Sequence, residues 1–232
     1  MKRFWKEVSL GEVDGGWQVA LDGRPVRTQG GKPQVVANKA LAELLAGEWR
    51  AAGEEIGAAD FPLRDIADYA IDVVAGDREA IANKLLAYAE TDTLCYRADP
   101  DAPLLQRQQA VWEPIVAAFE AREGVRMVRV SGIVHHPQPQ ATLDALRKRL
   151  EALDPLVLAP LEAMTSLSAS LTIGLSALEP DADLEALWAA AELEERWQAE
   201  LWGEDEEAAA RHARRTAAFM QAAQFARAAG AD

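Results

Sequence analysis

Apolar residues change rhythm at one point in the chain. Up to Val36 they alternate over short runs: Trp5, Val8, Val13, Trp17, Val19, Leu21, Val26, Val35 and Val36. Turn signals separate them, namely Asp14-Gly15-Gly16, Asp22-Gly23 and Gly30-Gly31. Asp-Gly and Gly-Gly pairs supply the positive φ that tight hairpins need, so VDGGWQVALDGRPV predicts short antiparallel strands. Pro25 and Pro33 suit an edge or a strand start. From Asn38 the spacing becomes helical. Asn38 is placed to cap a helix whose Leu41, Leu44, Leu45 and Trp49 share one side. A second stripe runs through Ile66, Tyr69, Ala70, Val73 and Val74 to Gly76, and Asp77 can start a third helix, REAIANKLLAYAE.

Further on, Leu94 to Arg97 reads as a strand or an extended loop. Pro103 can start a helix through Trp112 and Phe119, which Pro114 should bend or restart. Val125 to Val134 reads as a strand, followed by the loop HHPQPQ. Thr142 to Leu153, Pro155 to Ala177, Leu184 to Trp202 and Glu204 to Ala229 read as helices. Strands followed by helices, rather than alternation, predict an α+β chain. It divides into a small antiparallel β-rich N-terminal domain, 1–37, with a possible later strand near 125–134, and a larger, mostly helical domain, 38–232.

Composition narrows the function classes. The 232 residues are 50% hydrophobic, ample for a sizeable core, and the formal net charge is −14. Such a chain is repelled by phosphates, so nucleic acid and anionic lipid are not expected partners. One cysteine, Cys95, rules out an internal disulfide and fits a reducing compartment. The start MKRFWKEVSL lacks the apolar run of a signal peptide. No apolar stretch reaches the roughly 18 to 20 residues that span a bilayer. The expectation is a bacterial cytoplasmic protein.

Catalytic signatures are absent. There is no phosphate loop and no nucleophile elbow. His135 and His136 are adjacent and point apart, and His212 lies among Arg211, Arg214 and Arg215, a poor setting for a cation. No spacing suggests a metal site. Cys95 reads as a packed thiol. Arg24 and Arg27 near a turn could form an anion site, with solvated edge-strand charges as the simpler reading. DADLEAL reads as a helix start with its carboxylates near the positive dipole end.

The stretch LEERWQAELWGEDEEAAARHARR poses a sharper question, because tryptophan is costly to expose and glutamate costly to bury. On one continuous helix, Leu184, Leu187, Trp188, Ala191 and Trp202 fall on one arc, and Ala190, Leu193, Trp197 and Leu201 on another. Glu194 lies in the gap. Such a helix is either central to the core, with carboxylates reaching water or arginine, or a partner-binding face with aromatic anchors. The pattern leaves both open.

Several segments together, GRPVRTQGGKP, LAGEWRAAGEEI, AETDTLCYRADPDAPLLQRQQAVWEPIVAAF, GIVHHPQP, SLTIGLSAL and LEERWQAELWGEDEEA, resemble the Atp-twelve family of ATP synthase assembly chaperones. They span most of the chain in the family's order. The resemblance implies a small β-rich domain on a helical one, no catalysis and no cofactor. It implies a partner, the free α subunit of the ATP synthase catalytic sector, held until β replaces it, with eukaryotic relatives in the mitochondrial matrix. The functionally important glutamate of the family falls on Glu194. Partner contact is expected from Glu194, Glu195, Trp197, Gln198 and Trp202. Structural motif roles are expected for Trp49, Asp92, Tyr96, Arg97, Gln109 and Trp112. The chain is expected to be a monomer. Two other readings stay open: a hydrolase or transferase with an unrecognised carboxylate and arginine site in the helical domain, and an adaptor joining two proteins.

Overall fold

In the computed structural model, described for residues 2–132, 134–203 and 205–231, the chain is α+β. A hairpin of β1 (Val8–Val13) and β2 (Gly16–Leu21) begins it, joined by the two-residue turn Asp14-Gly15. Gly16 must be glycine: its φ is +145°, and a Cβ there would stand 2.2 Å from the Val36 carbonyl oxygen. Asp22 and Gly23, at φ 47° and 75°, turn the chain into β3 (Arg24–Pro25), and β4 (Val35–Val36) pairs with the other end of β2. Asp22 Oδ1 accepts the Lys6 and Glu7 N–H groups, which fixes that turn.

The sheet packs on α1 (Lys39–Ala51), capped by Asn38, whose Oδ1 accepts the Leu41 N–H at 2.9 Å. With α2 (Pro62–Asp72) it closes a core around Trp5, Val19, Leu41, Leu45, Trp49 and Phe61. Phe225, late in the chain, is fully buried in the same core. Asn38 Nδ2 also donates to the Ala228, Ala229 and Ala231 carbonyls.

The chain divides into two compact units. Unit 1 is Met1–Arg78, Asp154–Pro160 and Gln221–Asp232; unit 2 is Glu79–Leu153 and Leu161–Met220. The boundary near residue 37 marks where strand gives way to helix, but unit 1 keeps α1 and α2 with the sheet. A sheet this small needs their apolar faces to bury its own.

Unit 2 begins with α3 (Arg78–Glu90), whose first residue belongs to unit 1, and continues through β5 (Tyr96–Arg97), α4 (Pro103–Glu123), β6 (Val130–Ser131) and α5 (Gln140–Glu151). α4 starts at Pro103 and continues through Pro114 without restarting. The strand expected over 125–134 shrinks to β6, which runs parallel to β5. Side chains take the backbone donors that a neighbouring strand would have used: Met127 N–H goes to Glu120 and Val128 N–H to Gln138. Ile133, in that expected strand, lies outside the described residues.

The helix expected over 155–177 is two, α6 (Pro155–Ser168) and α7 (Leu171–Ala177). The break comes at Ala169, with φ 49°, after which Ser170 caps α7. The last three helices are α8 (Leu184–Ala191), α9 (Leu193–Trp202) and α10 (Glu206–Ala229). Glu204, included in the expected last helix, lies outside the described residues. No described helix is long and apolar enough to cross a membrane.

Candidate functional site

The stretch read as one helix from Leu184 to Trp202 is broken at Glu192, where φ −96° and ψ 10° leave the helical region. Before the break, Asp183 caps α8 by accepting the Ala186 N–H at 2.9 Å. Trp188 is buried, its ring 4.9 Å from Phe219 and its indole N–H on the Thr216 hydroxyl at 2.8 Å. Glu192 is itself buried. Its Oε1 lies 3.0 Å from His212 Nδ1 and 4.0 Å from Arg215. Burial raises its pKa, against the pull of those two neighbours. His212, expected in a purely cationic setting, thus sits against a carboxylate that the sequence places 20 residues upstream.

The break also separates tryptophans that a single helix would have aligned. Trp188 is core, whereas Trp202 is 78% exposed, and Leu201 beside it is exposed as well. After the break, Glu194, Trp197, Gln198 and Trp202 recur at helical spacing along one side of α9. They line an open cleft of about 810 Å³ together with Tyr96 and Arg97 of β5. Asp99 adds a second carboxylate to its wall.

Fixed partners hold this wall. Glu194 Oε1 accepts from Gln108 Nε2 at 2.6 Å, and Gln108 Oε1 accepts the Ala98 N–H at 2.8 Å. One fully buried amide therefore ties α4, the segment after β5 and α9 together. Glu200 accepts from both terminal guanidinium nitrogens of Arg107, at 2.5 and 2.8 Å, and that guanidinium lies 5.5 Å from the Trp197 ring centroid. Planar two-point pairing with an aromatic below it limits rotation of all three side chains. Glu195 is elsewhere: it pairs with Arg215 at 2.9 Å and does not line the cleft.

The other motif residues are dispersed. Trp49 is buried in unit 1, its ring 4.4 Å from Phe61. Asp92 is fully buried and accepts from Ser170 and from the Thr172 and Leu94 N–H groups. Tyr96 Oη meets His135 Nδ1 at 2.9 Å, and buried Arg97 pairs with Glu113 at 2.7 Å. Trp112 is fully buried and donates to the Ala190 carbonyl. Gln109 is exposed; its neighbour Gln108 makes the contact with Glu194. Gln108 was legible in principle, because it shares an apolar stripe with Trp112, Val116 and Phe119, and a polar residue on such a stripe needs a partner. Cys95 is buried, which pushes its thiol pKa up and away from nucleophilic chemistry. No group of three or more His, Cys, Asp or Glu among the described residues could hold a metal ion.

Arg129 pairs with both Glu113 and Glu120, pinning the irregular 125–131 segment to α4. Burial alone would raise both glutamates, but the hydrogen bonds from Arg129, with Arg97 on Glu113 and the Met127 N–H on Glu120, outweigh it and hold both below their ordinary value of 4.5. A depressed folded-state pKa means that the native state binds fewer protons than the unfolded one. This stabilisation is therefore present above about pH 4.5 and is lost as pH falls through the folded values. Arg129→Gln should flatten the acid limb of stability against pH, read as urea midpoints between neutral pH and pH ~3. An unchanged acid limb would exclude this network as its source.

Residues 2–120 match the family model described as ATP12 chaperone protein. "Protein atp12, mitochondrial" of Schizosaccharomyces pombe is 28% identical over 219 residues, covering 89% of this chain and 75% of that protein. Its Saccharomyces cerevisiae counterpart, "Protein ATP12, mitochondrial", is 27% identical over 251 residues, covering 89% and 77%. The crystal structure of Atp12 from Paracoccus denitrificans is 36% identical, with a TM-score of 0.92 and 98% of each chain covered.

Proposed function

This chain belongs to the ATP12 chaperone family, and from that premise we propose that it assists assembly of the ATP synthase catalytic sector by holding the unassembled α subunit until the β subunit takes its place. In this reading it carries out no covalent chemistry, needs no cofactor and works as a monomer in the bacterial cytoplasm. The observation that carries the reading is the α9 cleft. Exposed Trp202 stands in the same wall as Glu194, Trp197 and Gln198, next in sequence to exposed Leu201.

A subunit awaiting assembly exposes apolar surface that would otherwise aggregate. Trp202 offers contact area, Glu194 offers one charge of fixed position, and such a mixture gives specificity together with reversibility. The net charge of −14 keeps a complex of this kind in solution.

The test is light scattering of isolated α subunit on warming, with and without this protein, followed by size-exclusion chromatography. Suppressed scattering and a co-eluting complex are expected. Stable binding to intact enzyme, with none to free α, would count against the reading. Trp202→Ala should weaken the complex by roughly tenfold or more while shifting the variant's own stability by no more than ~0.5 kcal/mol. Full protection by that variant would move the contact elsewhere.

A further inference from the structure

Unit 1 carries a smaller recess of about 230 Å³, formed entirely by its own residues. Its apolar lining includes Trp49, Val26 and Phe4, the last 69% exposed. Three guanidiniums stand around it: Arg24 and Arg27 on either side of Val26, and Arg64 from the first turn of α2, 5.7 Å from the Trp49 ring centroid.

In a chain with net charge −14, this is a local reversal of sign. Few carboxylates answer it. Arg64 reaches Asp68 at 3.4 Å, and Arg27 donates to the Gly31 carbonyl at 2.8 Å. The backbone of Arg24 pairs with Leu21, but its guanidinium has no hydrogen-bond or ion-pair partner among the described residues. Asp22 feels the charge of Arg24, but its Oδ1 is occupied by the Lys6 and Glu7 N–H groups. Two buried donors here also lack acceptors, Arg64 Nε and Trp49 Nε1. Buried N–H groups are rarely left that way.

The recess is smaller than the roughly 300 to 1,000 Å³ of sites for whole small molecules. It suits one side chain. We propose that it docks a glutamate or aspartate of a partner polypeptide, with an apolar neighbour of that residue lying on Phe4. Guanidiniums take carboxylates in paired, directional hydrogen bonds, and the exposed phenyl ring rewards an apolar companion. The site is independent of the client reading for the α9 cleft and stands or falls without it.

The experiment uses the full chain labelled with ¹⁵N and follows the Trp49 indole N–H, assigned through its contacts with the Phe61 ring. The probe is the dipeptide acetyl-leucyl-glutamyl-amide, with acetyl-leucyl-glutaminyl-amide and inorganic phosphate as controls. A saturable shift with the glutamyl probe is expected, weakened roughly tenfold in the glutaminyl probe and in Arg24→Gln. Arg24 is exposed, so that variant should keep its spectrum elsewhere. Equal shifts from both dipeptides, no saturable shift, or a shift from phosphate alone would each overturn the proposal.

Discussion

Replacing Asp92 with alanine should remove about 3 to 5 kcal/mol of stability, a large part of the total for a chain of this kind. Asp92 is fully buried. One carboxylate oxygen accepts from the Ser170 hydroxyl at 2.7 Å and the Leu94 N–H at 3.1 Å; the other accepts from the Thr172 N–H at 2.9 Å. It thus holds the turn before β5 against the start of α7. Alanine leaves two buried backbone donors without acceptors and fills none of the space. Asp92→Asn keeps the volume and one acceptor oxygen, so its loss should be smaller.

Burial raises the Asp92 pKa even though its hydrogen bonds resist, so the sign is opposite to that of Glu113 and Glu120. With the folded value above the unfolded one, this contribution is full below the unfolded pKa and fades as pH rises through the folded value. Asp92→Asn should abolish that slope. Urea unfolding followed by tryptophan fluorescence measures both effects. A midpoint for Asp92→Ala that corresponds to less than ~1 kcal/mol of loss would sink the account.

Glu194→Lys is expected to weaken the complex with the proposed client roughly a hundredfold, ~3 kcal/mol, while leaving the fold in place. Glu194 is partly exposed and sits in the first turn of α9, so a longer side chain has room to turn outward. The variant loses the hydrogen bond from Gln108, which should lower stability by about 1 to 2 kcal/mol. Glu194→Gln separates charge from architecture, because it can still accept from Gln108. If charge meets the client, the glutamine variant binds weakly but folds normally. Normal client binding by Glu194→Gln, with unfolding of Glu194→Lys by circular dichroism, would reduce Glu194 to a brace for α9.

What could be read from sequence was local. The Asp14-Gly15 and Asp22-Gly23 turns, the Asn38 and Asp183 caps, and the start of α4 at Pro103 follow from residues within four positions of one another. What could not be read depended on partners distant in sequence. The break at Glu192 coincides with a carboxylate facing His212 and Arg215 on α10, and no periodicity reports that pairing. The same holds for residues 125–131, whose apolar alternation fits a strand while Glu120, Gln138 and Thr142 side chains take the backbone instead. Of the cleft, Glu194, Trp197, Gln198 and Trp202 share one wall as their spacing allows, and Glu195 does not. The brace behind them, Gln108, was one residue away from the glutamine singled out.

Asn38 has a consequence for how the molecule comes into being. Its carboxamide starts α1 and also donates through Nδ2 to the carbonyls of Ala228, Ala229 and Ala231, near the end of α10, while Phe225 fills the core under the sheet. A ribosome delivers Asn38 and Ala228 190 residues apart. The hairpin and α1 leave the ribosome well before Phe225 and Ala228, so their core stays open over that interval, and closing that long loop adds an entropic delay. An assembly chaperone thus passes through an unsheltered interval of its own, ended only when the turns of α10 that carry Phe225 and Ala228 leave the exit tunnel.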